Sequence, residues 1–227
     1  MTNRKGQVTV AYLSISAFAA DYMQMKKDIE KVIKVGADFL HVDIMDGHFV
    51  PSIGLNIPLI NSIHKNFRIP LDIHFMTYNT ASFVERFLGL DINSILFHVE
   101  EESEKEIFRV IEMVKSRGIS CGLAISPETE LSLLKKYIPE VDEFLLMCTN
   151  PGLENSIFQT EAYERIRELS MMIKDNKKIV LSVDGGINRI IAGKCLESGA
   201  DKIIMGRAFF QSDSPEEIAR ESHSYKK

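Results

Sequence analysis

The feature that most constrains the fold of this chain is an alternation sustained along almost its whole length. Short runs rich in β-branched and aromatic residues take turns with longer amphipathic stretches. The runs predict strands over 8–16, 39–45, 70–76, 94–100, 120–126, 143–149, 178–184 and 202–206. The stretches that follow them predict helices over 21–35, 57–65, 80–89, 104–117, 129–137, 160–175, 188–198 and 214–223. Gly36, Gly118 and Gly199 fall just past three of these helices, where a left-handed residue ends the last turn. Pro215, followed by Glu216 and Glu217, suits the first turn of the final helix. No low-complexity or linker-like segment divides the 227 residues. Eight strand–helix units at this length close into a parallel barrel more readily than they open into a doubly wound sheet. No Gly-x-Gly-x-x-Gly follows the first strand, which weakens a dinucleotide-binding sheet. The expected fold is an α/β, single-domain (β/α)8 TIM barrel over residues 1–227.

Composition narrows the class. A hydrophobic content of 45% supplies a sizeable core. With a net charge of −5 and no basic run, nucleic acid is not an expected partner. No apolar stretch approaches the roughly 18 residues of a membrane span. The basic first residues lead into a β-like run without a signal-type cleavage site. Cys121, Cys148 and Cys195 are odd in number and far apart, which fits buried thiols in a reducing compartment better than a disulfide framework. A soluble cytoplasmic protein is expected.

A barrel of this kind carries its chemistry at the C-terminal ends of the strands and in the loops after them. The second strand is unusual there, reading Phe39-Leu-His-Val-Asp-Ile-Met45 before Asp46-Gly47. Residues two apart in a strand share a face, so His41 and Asp43 project together. The pair suits Zn²⁺, Mn²⁺ or Fe²⁺, Asp43 could act as a proton-transfer base, and a core histidine satisfied by a carboxylate has the same pattern. The same strand-end rule selects Ser14 and Ser16, His74 and Met76, Met147, Asp184-Gly185-Gly186 and Gly206-Arg207. His41, Asp43, His74 and Asp184 could converge over the barrel mouth as four N/O ligands, leaving room for substrate oxygens. His98 reads as a structural histidine, and Glu100, Glu101 and Glu102 as a solvated helix start.

These segments resemble the ribulose-phosphate 3-epimerase family from about Ser14 to Phe210. The most specific match is His41-Val-Asp-Ile-Met-Asp-Gly-His-Phe-Val-Pro51. His74-Phe-Met76, Met147-Cys-Thr-Asn-Pro-Gly152 and Val183-Asp-Gly-Gly-Ile187 carry the rest. The resemblance implies one divalent metal ion (Zn, Mn or Fe), no organic cofactor and a small ketose phosphate substrate. It implies His41, Asp43, His74 and Asp184 as ligands, with Asp43 and Asp184 also the paired acid and base. Substrate contacts would come from Ser16, Met45, Met76, Met147, Gly152, Gly185, Gly186, Gly206 and Arg207. A homo-oligomer is expected on the same ground. The implied reaction is 3-epimerisation of D-ribulose 5-phosphate to D-xylulose 5-phosphate through an enediolate.

The departures gather where substrate is held. The family's glycine-rich continuation after Gly152 is replaced by Leu153-Glu-Asn-Ser-Ile-Phe158. Gly206 is followed by Arg207 instead of a serine or threonine, and arginine offers a bidentate phosphate contact. Ser52, Asn56 and the missing proline after Met76 are smaller differences. A hexulose-phosphate 3-epimerase, acting for instance on allulose 6-phosphate, is the nearest alternative. A decarboxylase of the same superfamily lacks its Asp-x-Lys pair here, and a non-catalytic sugar-phosphate binding barrel need not keep both carboxylates and both histidines.

Overall fold

A computed structural model of the chain describes residues 10–153, 156–176 and 178–225. Eight strands form one closed, all-parallel barrel in sequence order, β1 meeting β8. They are β1 (Tyr12–Ser16), β2 (Phe39–Met45), β3 (Leu71–Met76), β4 (Ser94–His98), β5 (Ser120–Ile125), β6 (Glu143–Met147), β7 (Val180–Asp184) and β8 (Lys202–Met205). Around them run α1 (Met25–Lys34), α2 (Ile57–Asn66), α3 (Thr80–Glu85), α4 (Glu104–Lys115), α5 (Ala162–Ile173), α6 (Arg189–Ser198), α7 (Arg207–Phe210) and α8 (Pro215–Ser224). The expected barrel is present. Residues 8 and 9 of the first predicted strand lie outside the described residues.

Local chemistry sets several helix ends. Asn56, Ser103 and Asn188 each accept a backbone N–H from the first turn of α2, α4 and α6, satisfying a donor that has no partner inside the helix. Gly36, Gly118 and Gly199 have φ of 80°, 72° and 118°, the left-handed stop their positions suggest. Between β5 and β6 the regular helix expected over 129–137 is instead a 3₁₀ segment, Leu131–Tyr137. Its buried residues are Leu131, Leu134 and Tyr137, a spacing of three that the tighter 3₁₀ turn lines up on one side. The helix α3 ends at Glu85 instead of continuing to residue 89, and the short α7 has no counterpart in the sequence pattern.

Outward-facing strand residues such as Val42, Phe75, Phe97 and Leu181 pack with Val32, Ile60, Val110 and Ile166 of the helices in one continuous core. Each fully buried aliphatic or aromatic side chain there contributes about 1.5–3 kcal/mol. The barrel interior is layered differently. At the N-terminal end Lys202 is 2% exposed, its Nζ 2.9 Å from Asp72 Oδ2 and 2.7 Å from Glu143 Oε1. Asp72 also accepts from Ser94 Oγ at 2.7 Å and Asn93 Nδ2 at 3.1 Å. Above this ion cluster Leu96, Ala124, Leu145, Met147 and Ile204 form an apolar middle layer. Gly122 belongs in that arrangement because a Cβ there would sit 2.4 Å from Leu96 Cδ2 and 2.8 Å from the Glu143 carbonyl oxygen. The C-terminal ends of the strands are left to polar residues.

Candidate active site

His41, Asp43 and Met45 alternate along the inner face of β2, and register places Asp43 beside His74 and Met45 beside Met76 on β3. Asp184 ends β7, three strands from β2 around the barrel. The strand ends bring together the four residues selected from the sequence. One ligand atom from each of His41, Asp43, His74 and Asp184 lies within 4.8 Å of the others. His41 Nε2 and His74 Nδ1 each stand 3.3 Å from Asp43 Oδ1, and His41 Nε2 is 3.9 Å from Asp184 Oδ2. Ser16 Oγ donates to Asp43 Oδ2 at 2.7 Å, fixing the carboxylate from β1.

The donor set fits a divalent cation. Both ring nitrogens of His41 and of His74 are buried without a hydrogen-bond partner. Leaving such groups unpaired costs about 1–3 kcal/mol apiece. Imidazole nitrogens and carboxylate oxygens converging on one point are the ligand types of zinc, manganese and iron.

The same crowding separates the titrations. Burial opposes the charge on Asp43, but His41 and His74 beside it hold its carboxyl well below the usual range. Burial, joined by the Asp43 charge, pushes Asp184 up to about 7 despite His41. Burial is outweighed at His41, where Asp43 and Asp184 raise the imidazole to about 9. At His74 burial prevails, with His98 and His41 adding to it, and lowers the ring to about 4. Without a bound cation the two carboxyls are thus pushed in opposite directions, Asp43 down and Asp184 up.

A pH effect on the metal-stripped protein follows. His41 is raised in the folded state, so its contribution is complete below 6.5 and disappears as pH rises through about 9. Asp184 (3.8 to about 7) and His74 (6.5 to about 4) act in opposite directions over nearly the same lower window. A net loss of about 3 kcal/mol between pH 6.5 and 9 is expected from His41. Urea unfolding of EDTA-treated protein at the two pH values measures it, and a flat profile would exclude His41 as a buried cation.

The rim is apolar on one side. Met45, Val50 and Met76 pack together with Phe18 and Phe49. Met147 neighbours Asp184 in register and packs with Leu96, Ala124, Leu145 and Ile204, whereas Met45 and Met76 pack with Val50. Glycines line the neighbouring loops. Ser52 Oγ donates to the Gly152 carbonyl at 2.6 Å, and a Cβ on Gly152 would meet Val50 Cβ at 2.3 Å. Gly185 and Gly186 have φ of 111° and 65°, with Thr149 Oγ1 and Phe158 N at 2.4 Å and 2.5 Å from ideal Cβ positions. Close approach of three loops therefore requires these glycines. Gly206 leads into α7, whose first residue, Arg207, is exposed. Glu154 and Asn155 lie outside the described residues.

The profile of the Ribulose-phosphate 3 epimerase family matches residues 12–210. The chain belongs to this family. Ribulose-phosphate 3-epimerase of Helicobacter pylori (strain J99) is 35% identical over 87% of this chain and 89% of the relative. The protein of that name from Aquifex aeolicus is 32% identical over 93% and 95%. Relationship of this extent makes the protein an isomerase of the epimerase class. Among solved structures, 3-hexulose-6-phosphate synthase from Salmonella typhimurium superposes with a TM-score of 0.68 at 16% identity, covering 94% of this chain and 97% of that one. A mutant tryptophan synthase α-subunit from Pyrococcus furiosus gives 0.65 at 15%, covering 96% of both. At such identities they establish the barrel alone.

Elsewhere the expectations divide. All three cysteines are free and buried. Among the described residues no helix is long and apolar enough to cross a membrane. Glu100 corrects one expectation: it is not a solvated helix start. Its Oε1 accepts from Ser126 N at 2.6 Å and Thr129 Oγ1 at 2.9 Å, while Oε2 stands 2.9 Å from His98 Nδ1. Glu102 likewise accepts from Thr80 N at 2.6 Å, whereas Glu101 is exposed as expected. Ser126 and Thr129 come from the segment after β5 and Thr80 from the start of α3, which local charge patterning does not register.

Proposed function

We propose that this epimerase inverts the carbon beside the ketone of D-ribulose 5-phosphate, giving D-xylulose 5-phosphate. What carries the reading is the pair Asp43 and Asp184, which reach one donor cluster from β2 and β7. Inversion beside a ketone needs a base to take a weakly acidic proton and an acid to return one on the opposite face. Asp43, held by Ser16, serves as the base for one epimer and Asp184, reaching the cluster from β7, as the acid. Their roles exchange in reverse. Met45, Met76, Phe18 and Phe49 keep water away and supply no competing proton. A divalent cation held by His41, Asp43, His74 and Asp184 supplies, when bound, a positive charge against the negative charge that develops on the substrate.

The phosphate end is assigned to the glycine rim, Gly152, Gly185, Gly186 and Gly206, with Arg207. Arginine offers a fork that a short hydroxyl side chain lacks. The experiment is a panel of pentulose and hexulose phosphates assayed with Zn²⁺, Mn²⁺ and Fe²⁺. D-ribulose 5-phosphate should give the highest kcat/KM, and preference for allulose 6-phosphate would transfer the proposal to the hexulose series. Arg207→Ser should raise KM about tenfold or more, the scale of a charge-assisted hydrogen bond, with kcat little changed. An unaltered KM would remove Arg207 from the phosphate site.

A further inference from the structure

A metal-binding imidazole is normally oriented by a hydrogen bond from its second ring nitrogen to a carboxylate, carbonyl or water. His74 Nδ1 faces only its fellow donor Asp43, at 3.3 Å, and Nε2 has no hydrogen-bond partner on the protein. Its ring lies against another histidine instead. The His98 ring stacks on it with centroids 5.1 Å apart and planes inclined by 25°. His98 is 2% exposed and ends β4, the strand beside that of His74, and its ring centroid lies 4.8 Å from that of Phe49. It is not among the four converging donors.

His98 is itself held. Glu100 binds its Nδ1 through one carboxylate oxygen and is anchored by Ser126 and Thr129 through the other. Burial works against the Glu100 charge, but His98 and these donors bring its carboxyl down to about 2. Arg165 Nη2, from α5, reaches the carbonyl oxygens of Ser126 and Thr129 at 3.1 Å and 2.8 Å and braces the loop after β5. A continuous series of contacts therefore runs from Arg165 through Ser126 and Thr129, Glu100 and His98 to the face of His74.

We propose that His98, fixed by Glu100, is a positioning residue for the ligand His74, replacing the usual hydrogen bond with a ring stack. The inference rests on the four-donor metal reading. It assigns His98 and Glu100 a task outside the reacting atoms: they set the rotation of one imidazole, and with it the direction of a lone pair. An aromatic ring at position 98 can do this without any ring nitrogen, whereas a small side chain cannot.

The test is Co²⁺ titration of metal-stripped protein, followed by visible absorption, for wild type, His98→Ala, His98→Phe and Glu100→Ala. The thermal midpoint of each metal-free protein is recorded alongside. His98→Ala should weaken Co²⁺ binding about 10–100-fold, the usual effect of losing a ligand's support. His98→Phe should stay within a few-fold of wild type, and Glu100→Ala should fall between the two. If His98→Ala does not fold, the contrast between Glu100→Ala and His98→Phe decides. Unchanged affinity in both His98→Ala and Glu100→Ala overturns the stack alone. Equal losses in His98→Phe and His98→Ala also overturn it, because the imidazole nitrogens would then matter. A wild-type protein that binds no Co²⁺ overturns the metal reading and the inference together.

Discussion

Asp184→Asn is expected to lower the rate of inversion by about 10³-fold or more, with Asp43→Asn losing at least as much. The amide keeps the shape of the carboxyl but cannot exchange a proton at neutral pH. Asp184 reaches the cluster from β7, and in the metal-free protein burial pushes its carboxyl upward. Asp43 is the one that His41 and His74 keep ionised, and it also receives the Ser16 hydroxyl. Removing either leaves one face of the substrate without a proton carrier. Nuclear magnetic resonance in heavy water separates the steps: inversion needs both carboxyls, whereas exchange of one epimer's proton needs only the one that remains. Metal content of each variant should be measured beside it, since both carboxylates belong to the donor group. A single variant that inverts its substrate within tenfold of wild type would falsify the two-carboxyl mechanism.

Lys202→Met should cost about 3–5 kcal/mol of stability, the usual result of removing one partner from a buried ion cluster. At this chain length that is a fall in Tm of roughly 10 °C. Lys202 is the cation between Asp72 and Glu143, and methionine would leave the two carboxylates facing one another at the closed end of the barrel. The loss has a pH signature. Burial already pushes the Glu143 carboxyl upward despite Lys202, and losing that cation would raise it further. A raised carboxyl is most favourable when protonated, so acid should restore part of the stability and alkali should not. Thermal melts of both proteins at pH 5 and pH 8 measure this. A variant within 1 kcal/mol of wild type at pH 8 would mean that the cluster is not a stabilising unit.

The barrel was legible because its signal repeats: each unit presents the same change from strand to helix period, so small boundary errors do not alter the topology. The four-donor group was legible for a related reason. Alternation fixes the face of a strand residue and the barrel fixes the end at which chemistry gathers, so the meeting of His41, Asp43, His74 and Asp184 could be read from the pattern, while their assignment as ligands came from the family resemblance. What stayed hidden depends on partners far apart in sequence. Lys202 reads as an ordinary polar residue at a strand start until Asp72 and Glu143 arrive from β3 and β6. Glu100 sits in a run of three glutamates typical of a solvated turn, and only Ser126 and Thr129 show otherwise. The 3₁₀ segment after β5 carries a period of three that resembles the helical one over so short a span.

The way the donor group is divided among the strands also bears on how the ring is completed. His41, Asp43 and His74 come from neighbouring β2 and β3, but Asp184 comes from β7, beyond the seam where β8 meets β1. A chain folded only through its first half would present three donors with nothing to complete them. The fourth reaches the others only after the last strand has docked on the first. A ligand gripped by all four therefore acts as a latch across that seam, favouring the closed ring over any form in which the final strands have peeled away.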